Sequence, residues 1–213
     1  MGSAAGQVIA IDGPAGSGKS TVAARVAHSL GWAHLDTGAM YRAVTWAVLR
    51  AGLDAADGDA VAALARALPI EVGPPVIVDG QDVTGAIRGP EVSGAVSVVA
   101  AHPGVRQDLV RRQRVWVADH GGGVVEGRDI GSVVFPRAEL KVYLTASDAE
   151  RAMRRAGQDV GMGRHAAAAD IARRDLLDSA RAASPLQVAD GAVVIDTTGR
   201  PVDDVVEEVL AHL

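Results

Sequence analysis

Residues 13 to 20 read Gly13-Pro14-Ala15-Gly16-Ser17-Gly18-Lys19-Ser20, which satisfies every fixed position of the phosphate-loop pattern G-x-x-x-x-G-K-[ST]. The loop follows the apolar run Val8-Ile9-Ala10-Ile11 and opens a stretch in which Val22, Val26 and Leu30 recur every fourth residue. That order predicts strand, loop and helix, the context in which the pattern has physical meaning. Glycines let successive backbone N–H groups turn toward a phosphate, and the helix N-terminus behind them adds partial positive charge. Residues Gly13 to Ser20, with Thr21 beside them, are expected to hold the phosphates of a nucleoside triphosphate. Lys19 would reach the outer phosphates and the Ser20 hydroxyl would ligate Mg²⁺.

Composition excludes an accidental match. With 25 Gly, 2 Lys and 17 Ser plus Thr among 213 residues, about 0.002 matches are expected by chance. The two lysines, Lys19 and Lys141, stand against 19 arginines. A lysine kept in the loop of so arginine-rich a chain fits a compact ammonium enclosed by amides, where a planar guanidinium would not fit.

At 48% hydrophobic, 213 residues can bury a full core as one domain with insertions. No run of 18 apolar residues and no charged-then-apolar leader occurs, so neither a membrane span nor a signal peptide is expected. Residues 1 to 6 read as a flexible tail. The absence of cysteine excludes disulfides and thiolate metal sites and fits a cytoplasmic protein. The six histidines show no metal-ligand spacing, and Trp32, Trp46 and Trp116 fall on apolar positions that suit core packing. A net charge of −5 argues against a nucleic-acid partner, so an anionic small ligand requires a local arginine cluster. No strongly apolar exposed stretch stands out, and a monomer is expected.

Short buried-type runs at 33–35, 123–126, 140–144 and 192–195 alternate with helical patterns. They predict an α/β fold: a five-stranded parallel sheet with helices on both faces. Residues 69 to 90 break that rhythm. Pro69-Ile70-Glu71-Val72 and Val76-Ile77-Val78, split by Gly73-Pro74-Pro75 and followed by Asp79-Gly80, predict a small antiparallel insert, and a helical stretch from Glu91 to about Trp116 returns to the main sheet. Farther on, Arg151, Arg154 and Arg155 share a helical face, glycines punctuate 157–163, and Arg174, Asp178 and Arg181 recur at i, i+4 and i+7. Two arginine-bearing helices around a glycine-rich connector predict a lid. The expected organisation is one domain: a core of 7–58, 101–150 and 182–213, an insert at about 60–100 and a lid at about 151–181.

Beyond the loop, Leu35-Asp36-Thr37-Gly38-Ala39-Met40-Tyr41-Arg42, Glu126-Gly127-Arg128-Asp129-Ile130-Gly131-Ser132-Val133-Val134-Phe135-Pro136, and Arg174-Asp175 through Asp178, Arg181 and Ser184-Pro185-Leu186 resemble bacterial cytidylate kinases. So do Asp82-Val83-Thr84-Gly85 with Ile87-Arg88, Pro103-Gly104-Val105-Arg106 before Arg111-Arg112-Gln113, and Ile195-Asp196-Thr197-Thr198. The resemblance implies transfer of the γ-phosphoryl group of ATP to CMP or dCMP with Mg²⁺. It places Thr37, Tyr41, Arg42 and Arg128 around the CMP phosphate, and Ser97, Arg106 and Asp129 on the cytosine edge. By the same resemblance Arg174 and Asp178 approach the ribose, and Arg181 lies between the monophosphate and the transfer centre. Lys19, Arg128 and Arg181 would be the catalytic cations. Thr37 stands where many relatives carry Ser, Ser132 where many carry Thr, and the lid is short, so which of Arg154, Arg155 and Arg164 meets ATP stays open.

Such arginines suit phosphoryl transfer, which needs alignment, neutralised oxygens and excluded water more than covalent help. Guanidinium groups bind phosphate oxygens in pairs and stay charged. The same reaction on UMP, AMP or shikimate is the nearest rival. A GTPase-type switch would need an Asn-Lys-x-Asp signature, and the chain contains no asparagine.

Overall fold

Four buried apolar residues, Val8 to Ile11, become the middle of strand β1 (Gln7–Asp12), with only Gln7 exposed. Burial on both faces suits a central strand of a sheet covered on both sides. In the computed structural model, which describes residues 7–158, 163–179 and 186–213, β1 pairs in parallel with β6 (Gly122–Gly127) and with β7 (Leu140–Thr145). Strand β7 pairs in parallel with β8 (Val193–Asp196), and the short β2 (His34–Asp36) completes the order β2-β6-β1-β7-β8. The strands match the apolar runs of the sequence to within one or two residues at each end.

Helix α1 (Lys19–Leu30) lays Val22, Ala23, Val26 and Ala27 on the sheet, and α8 (Val202–Leu210) adds Val205, Val206 and Val209. With Ile9, Ile11, Val124, Val142, Leu144 and Ile195 they form one core, against which Leu30 and Trp32 pack. Each such side chain removed from water contributes about 1.5–3 kcal/mol. Parallel strands end together, so the loops after β1, β6, β7 and β8 lie along one edge of the sheet. Ligands of open α/β sheets bind along that edge, where the strand order switches.

The chain divides into two compact units, Met1–His34 with Val117–Leu213, and Leu35–Trp116. The second unit carries α2 (Thr37–Arg50), α3 (Gly58–Ala67) and an antiparallel sheet of β3 (Ile70–Glu71), β4 (Ile77–Val78) and β5 (Gln81–Asp82). Its core joins Ala39 and Ala43 of α2 to Val76, Val78, Val83 and Ile87, with Trp46 packed alongside. The helical stretch expected from Glu91 to Trp116 is two helices, α4 (Pro90–Val99) and α5 (Pro103–Asp119). Pro103 causes the break, because it lacks an N–H and disfavours helical backbone in His102. The remaining helices, α6 (Asp148–Gln158) and α7 (Arg164–Ser179), flank 159–162. Residues 159–162 of the expected lid lie outside the described residues, as do residues 1–6 and 180–185, which include Arg181. Among the described residues no helix is long and apolar enough to cross a membrane.

Candidate active site

Gly18 enters α1 in the left-handed conformation and no side chain caps the helix. Its first N–H groups have no partner within the helix, and the first turn carries no acidic residue. Gly16, at φ +76°, lies so close to α6 that a Cβ would stand 2.9 Å from the Arg151 carbonyl oxygen. The Ala15 peptide beside it is held from two helices at once. Asp175 of α7 accepts the Ala15 N–H at 3.2 Å, Arg151 of α6 donates to the Ala15 carbonyl at 3.1 Å, and Arg151 and Asp175 pair with each other. At the far side of the loop the Thr197 hydroxyl lies 3.1 Å from the Ser17 carbonyl and accepts from Arg154 Nη1 at 2.9 Å. The loop is therefore fixed through its main chain before any nucleotide arrives.

Lys19 Nζ donates to the Pro14 carbonyl at 2.7 Å. Burial, then the Arg128 charge, pulls its pKa down to about 7, with Glu126 and Asp12 opposing and Arg174 adding to the fall. Arg174 is likewise pulled down to about 10, by burial first and Arg128 second. Arg128 donates to the Gly13 carbonyl at 2.5 Å and pairs with buried Asp178 at 2.8 Å. Three cations thus crowd one loop. The phosphate chain of a nucleotide would relieve their mutual repulsion.

Asp12 ends β1 with both carboxylate oxygens accepting main-chain N–H groups, from Ile130 and Gly131, at 2.8 Å each. It thereby fixes the helical turn Ile130–Val134 that follows Arg128 and Asp129. Burial raises the Asp12 pKa to about 6, against the two N–H groups that lower it.

Glu126, next to the last residue of β6, stands in a family-like segment but has no role assigned from sequence. Its carboxylate is buried, accepts from the Ser20 hydroxyl at 2.8 Å and lies 3.2 Å from His34 Nε2. The signal was present: an acid closing the buried run Gly122-Gly123-Val124-Val125 on the strand next to β1. A hydroxyl and a carboxylate are hard oxygen donors, a set that suits Mg²⁺. Among the described residues no cluster of three His, Cys, Asp or Glu forms a self-sufficient metal site.

Arg154 and Arg155 part company. The Arg154 guanidinium, held by Glu150 and Thr197, lies beside Gly18, whose Cβ would stand 3.5 Å from Nη1. Arg155 faces Asp170 of α7 at 3.4 Å. In the second unit, α2 carries Thr37, Tyr41 and Arg42; the Arg106 guanidinium of α5 stands 5.9 Å over the Tyr41 ring, and Ser97 of α4 and Arg106 are buried. Asp129, also buried, belongs to the first unit, with Arg174 and Asp178.

A parallel sheet switching order around β1, a phosphate loop and a small antiparallel insert define a P-loop fold of the nucleoside monophosphate kinase type. The sequence profile of cytidylate kinase matches residues 9–213. The cytidylate kinase of Rhodococcus opacus is 49% identical over 212 residues, covering 95% of this chain and 93% of that protein. That of Nocardia farcinica is 50% identical over 210 residues, covering 94% and 90%. A bifunctional pantoate ligase/cytidylate kinase of Parasynechococcus marenigrum is 52% identical over 211 residues, covering 94% of this chain and 42% of that protein. A solved structure of an uncharacterized protein from Eubacterium ventriosum covers 97% of both chains at a TM-score of 0.53 and 11% identity, a likeness of fold alone. This chain belongs to the cytidylate kinase family.

Proposed function

We propose that the site carries out the family's reaction, transfer of the γ-phosphoryl group of ATP to CMP or dCMP, through the residues named above. The reaction joins a CMP phosphate oxygen to the γ-phosphorus and breaks the bond to ADP. The observation that carries this assignment is the convergence of three cations, Lys19, Arg128 and Arg174, on the glycine loop that opens α1. Gly13 to Thr21 bind the ATP phosphates, and Arg154 is the lid arginine that meets them, given its place beside Gly18. Ser20 and Glu126 hold the Mg²⁺ that neutralises phosphate oxygens when bound. Lys19, Arg128 and Arg181 balance the charge of the transferring group.

In this assignment Thr37, Tyr41 and Arg42 bind the monophosphate, Arg174 and Asp178 the ribose, and Ser97, Arg106 and Asp129 the cytosine. The unit holding the antiparallel insert serves the monophosphate, and 151–181 act as the lid. The working form is a cytoplasmic monomer with nucleotides as its partners.

Cytosine presents an N4 amino donor beside N3 and O2 acceptors, which suits a carboxylate at Asp129 and a guanidinium at Arg106. Uracil reverses two of those groups and leaves like facing like. Opposed buried groups support discrimination on the order of a thousandfold. A coupled assay across CMP, dCMP, UMP and AMP should show that preference, and Asp129→Ala should narrow the CMP to UMP ratio by damaging CMP. A wild type that accepts UMP as readily as CMP, or an unmoved ratio in the mutant, overturns the assignment of the base site.

A further inference from the structure

Glu126 is held at both of its oxygens. Its Oε2 accepts the Ser20 hydroxyl at 2.8 Å, and its Oε1 lies 3.2 Å from His34 Nε2. An ionised carboxylate only accepts hydrogen bonds, so the second contact requires the imidazole hydrogen on Nε2. The Glu126 side chain is 4% exposed and that of His34 26%. A buried carboxylate therefore meets a ring that is itself mostly covered.

Three elements of the first unit supply these groups: Ser20 from α1, His34 from β2 and Glu126 from β6. Side chains alternate along a strand, so Glu126 shares a face of β6 with Val124, which packs in the core with Val22 and Val26 of α1. That face brings the carboxylate under the first turn of α1, where Ser20 is the second residue. On the other side, the Val124 N–H donates to the Ala33 carbonyl at 2.8 Å, which ties the chain to β6 one residue before His34. Leu35 is fully buried, which leaves His34 on the opposite face of β2. Strand pairing thus fixes where the ring stands.

We propose that His34 is a positioning residue for the metal half of the site: its Nε2–H holds Oε1 of Glu126 so that Oε2 stays turned to Ser20. The inference rests on the kinase function proposed above, in which Ser20 and Glu126 hold Mg²⁺. A glutamate has one more rotatable bond than an aspartate, and rotation about any of its bonds can carry the carboxylate away from the hydroxyl. A hydrogen bond to Oε1 fixes the carboxylate plane without displacing Ser20 from Oε2. A protonated ring nitrogen has no lone pair for a metal, so Nε2 acts through Glu126 and not on the ion. Partners placed behind a metal-binding carboxylate in this way typically govern metal affinity by about 10–100-fold.

The test compares His34→Phe and His34→Gln with wild type in the full chain. Phe keeps the bulk of the ring without a donor, and Gln carries an amide N–H at about the reach of Nε2. Titration calorimetry with a non-hydrolysable imido analogue of ATP, once with Mg²⁺ and once in EDTA, gives a ratio of affinities that isolates what the metal adds. His34→Phe should cut that ratio about tenfold while the affinity in EDTA stays within about twofold of wild type, and His34→Gln should restore part of the loss. In a Glu126→Ala background His34→Phe should lower the ratio no further, because the group it anchors is gone. In the metal-free wild type with the ring neutral, nitrogen NMR should find the His34 hydrogen on Nε2. A ratio within about twofold of wild type in His34→Phe overturns the inference. So does a hydrogen on Nδ1, a Gln variant no better than Phe, an equal loss in EDTA, which would mean that the ring only supports the fold, or a further fall in the Glu126→Ala background. Wild type separates the two readings: if it gains nothing from Mg²⁺ and does not phosphorylate CMP, the metal and kinase assignments fail, whereas a wild type that does both beside indifferent His34 variants defeats this inference alone.

Discussion

The phosphate loop and the N-terminus of α2 are built from different materials. At the phosphate loop the donors are largely main-chain N–H groups, and side chains hold the main chain from outside: Arg151 and Asp175 on Ala15, Thr197 on Ser17, Asp12 on Ile130 and Gly131. At the N-terminus of α2 the cationic groups are two long arginine side chains, Arg42 and Arg88, and the Asp36 carboxylate holds Arg42 directly. Fixed peptides cost no reorganisation when a phosphate arrives, which suits a group whose charge redistributes during transfer. Long side chains can follow a ligand, which suits an acceptor that must be delivered and released. If the proposed function holds, the loop region should govern kcat and Arg42 KM for CMP.

Lys19→Ala is the strongest way to break that contrast. Lys19 is the side-chain cation enclosed by the loop, and removing a contact aimed at the transferring group typically costs about 3 kcal/mol. Steady-state kinetics should show kcat lowered by roughly a hundredfold or more, with CMP affinity by titration calorimetry nearly unchanged. Near-normal turnover in a folded Lys19→Ala protein would mean that the loop binds without stabilising the transfer.

A smaller loss is expected from the clamp on Ala15. Asp175→Ala removes the acceptor of the Ala15 N–H and the partner of the largely buried Arg151 guanidinium, although neither residue need touch a nucleotide. KM for ATP should rise about tenfold, since leaving a buried partner unpaired costs on the order of 1–3 kcal/mol. Hydrogen exchange of the 13–18 amides should accelerate with it, and Asp175→Asn should restore part of both. Unchanged exchange in the loop would show that α6 and α7 do not hold it.

What could be read beforehand divides along physical lines. Strands of the main sheet announced themselves as unbroken apolar runs because both faces are buried, and the phosphate loop because its chemistry is local. Strand β5 carried no such sign: Gln81 and Asp82 are polar and exposed, and the Asp79-Gly80 turn brings them against β4. The break at Pro103 was visible in principle, but apolar periodicity on both sides of it masked two helices as one. Glu126 meets Ser20 across 106 residues and Asp175 meets Ala15 across 160. Contacts of that span follow from strand order and helix packing, which no local pattern encodes. The resemblance supplied a list of expected ligand-facing residues and gave no role to Glu126, Asp175 and Thr197, whose contacts with the loop or its neighbours appear only in the folded chain.

Asp12 offers the smallest effect on turnover and the sharpest test of how the main-chain half is held. Two forces oppose each other there. Two N–H groups favour the carboxylate, while burial favours the neutral acid, and burial wins, lifting the pKa from the ordinary 3.8 to about 6. The folded protein therefore binds the Asp12 proton more tightly than the unfolded chain. Its contribution to stability is complete below about pH 4 and is lost as the pH rises through about 6. Asn imitates the neutral acid at every pH. The stability of Asp12→Asn relative to wild type, from urea denaturation, should accordingly rise between pH 4 and pH 7, by about 1–3 kcal/mol. Turnover should change by less than about threefold, because one side-chain oxygen still accepts an N–H of the turn that carries Arg128. A gap that stays flat, or that moves in favour of wild type as the pH rises, would show that the N–H groups of Ile130 and Gly131 outweigh burial. In that case the turn is held by a charged carboxylate at every working pH.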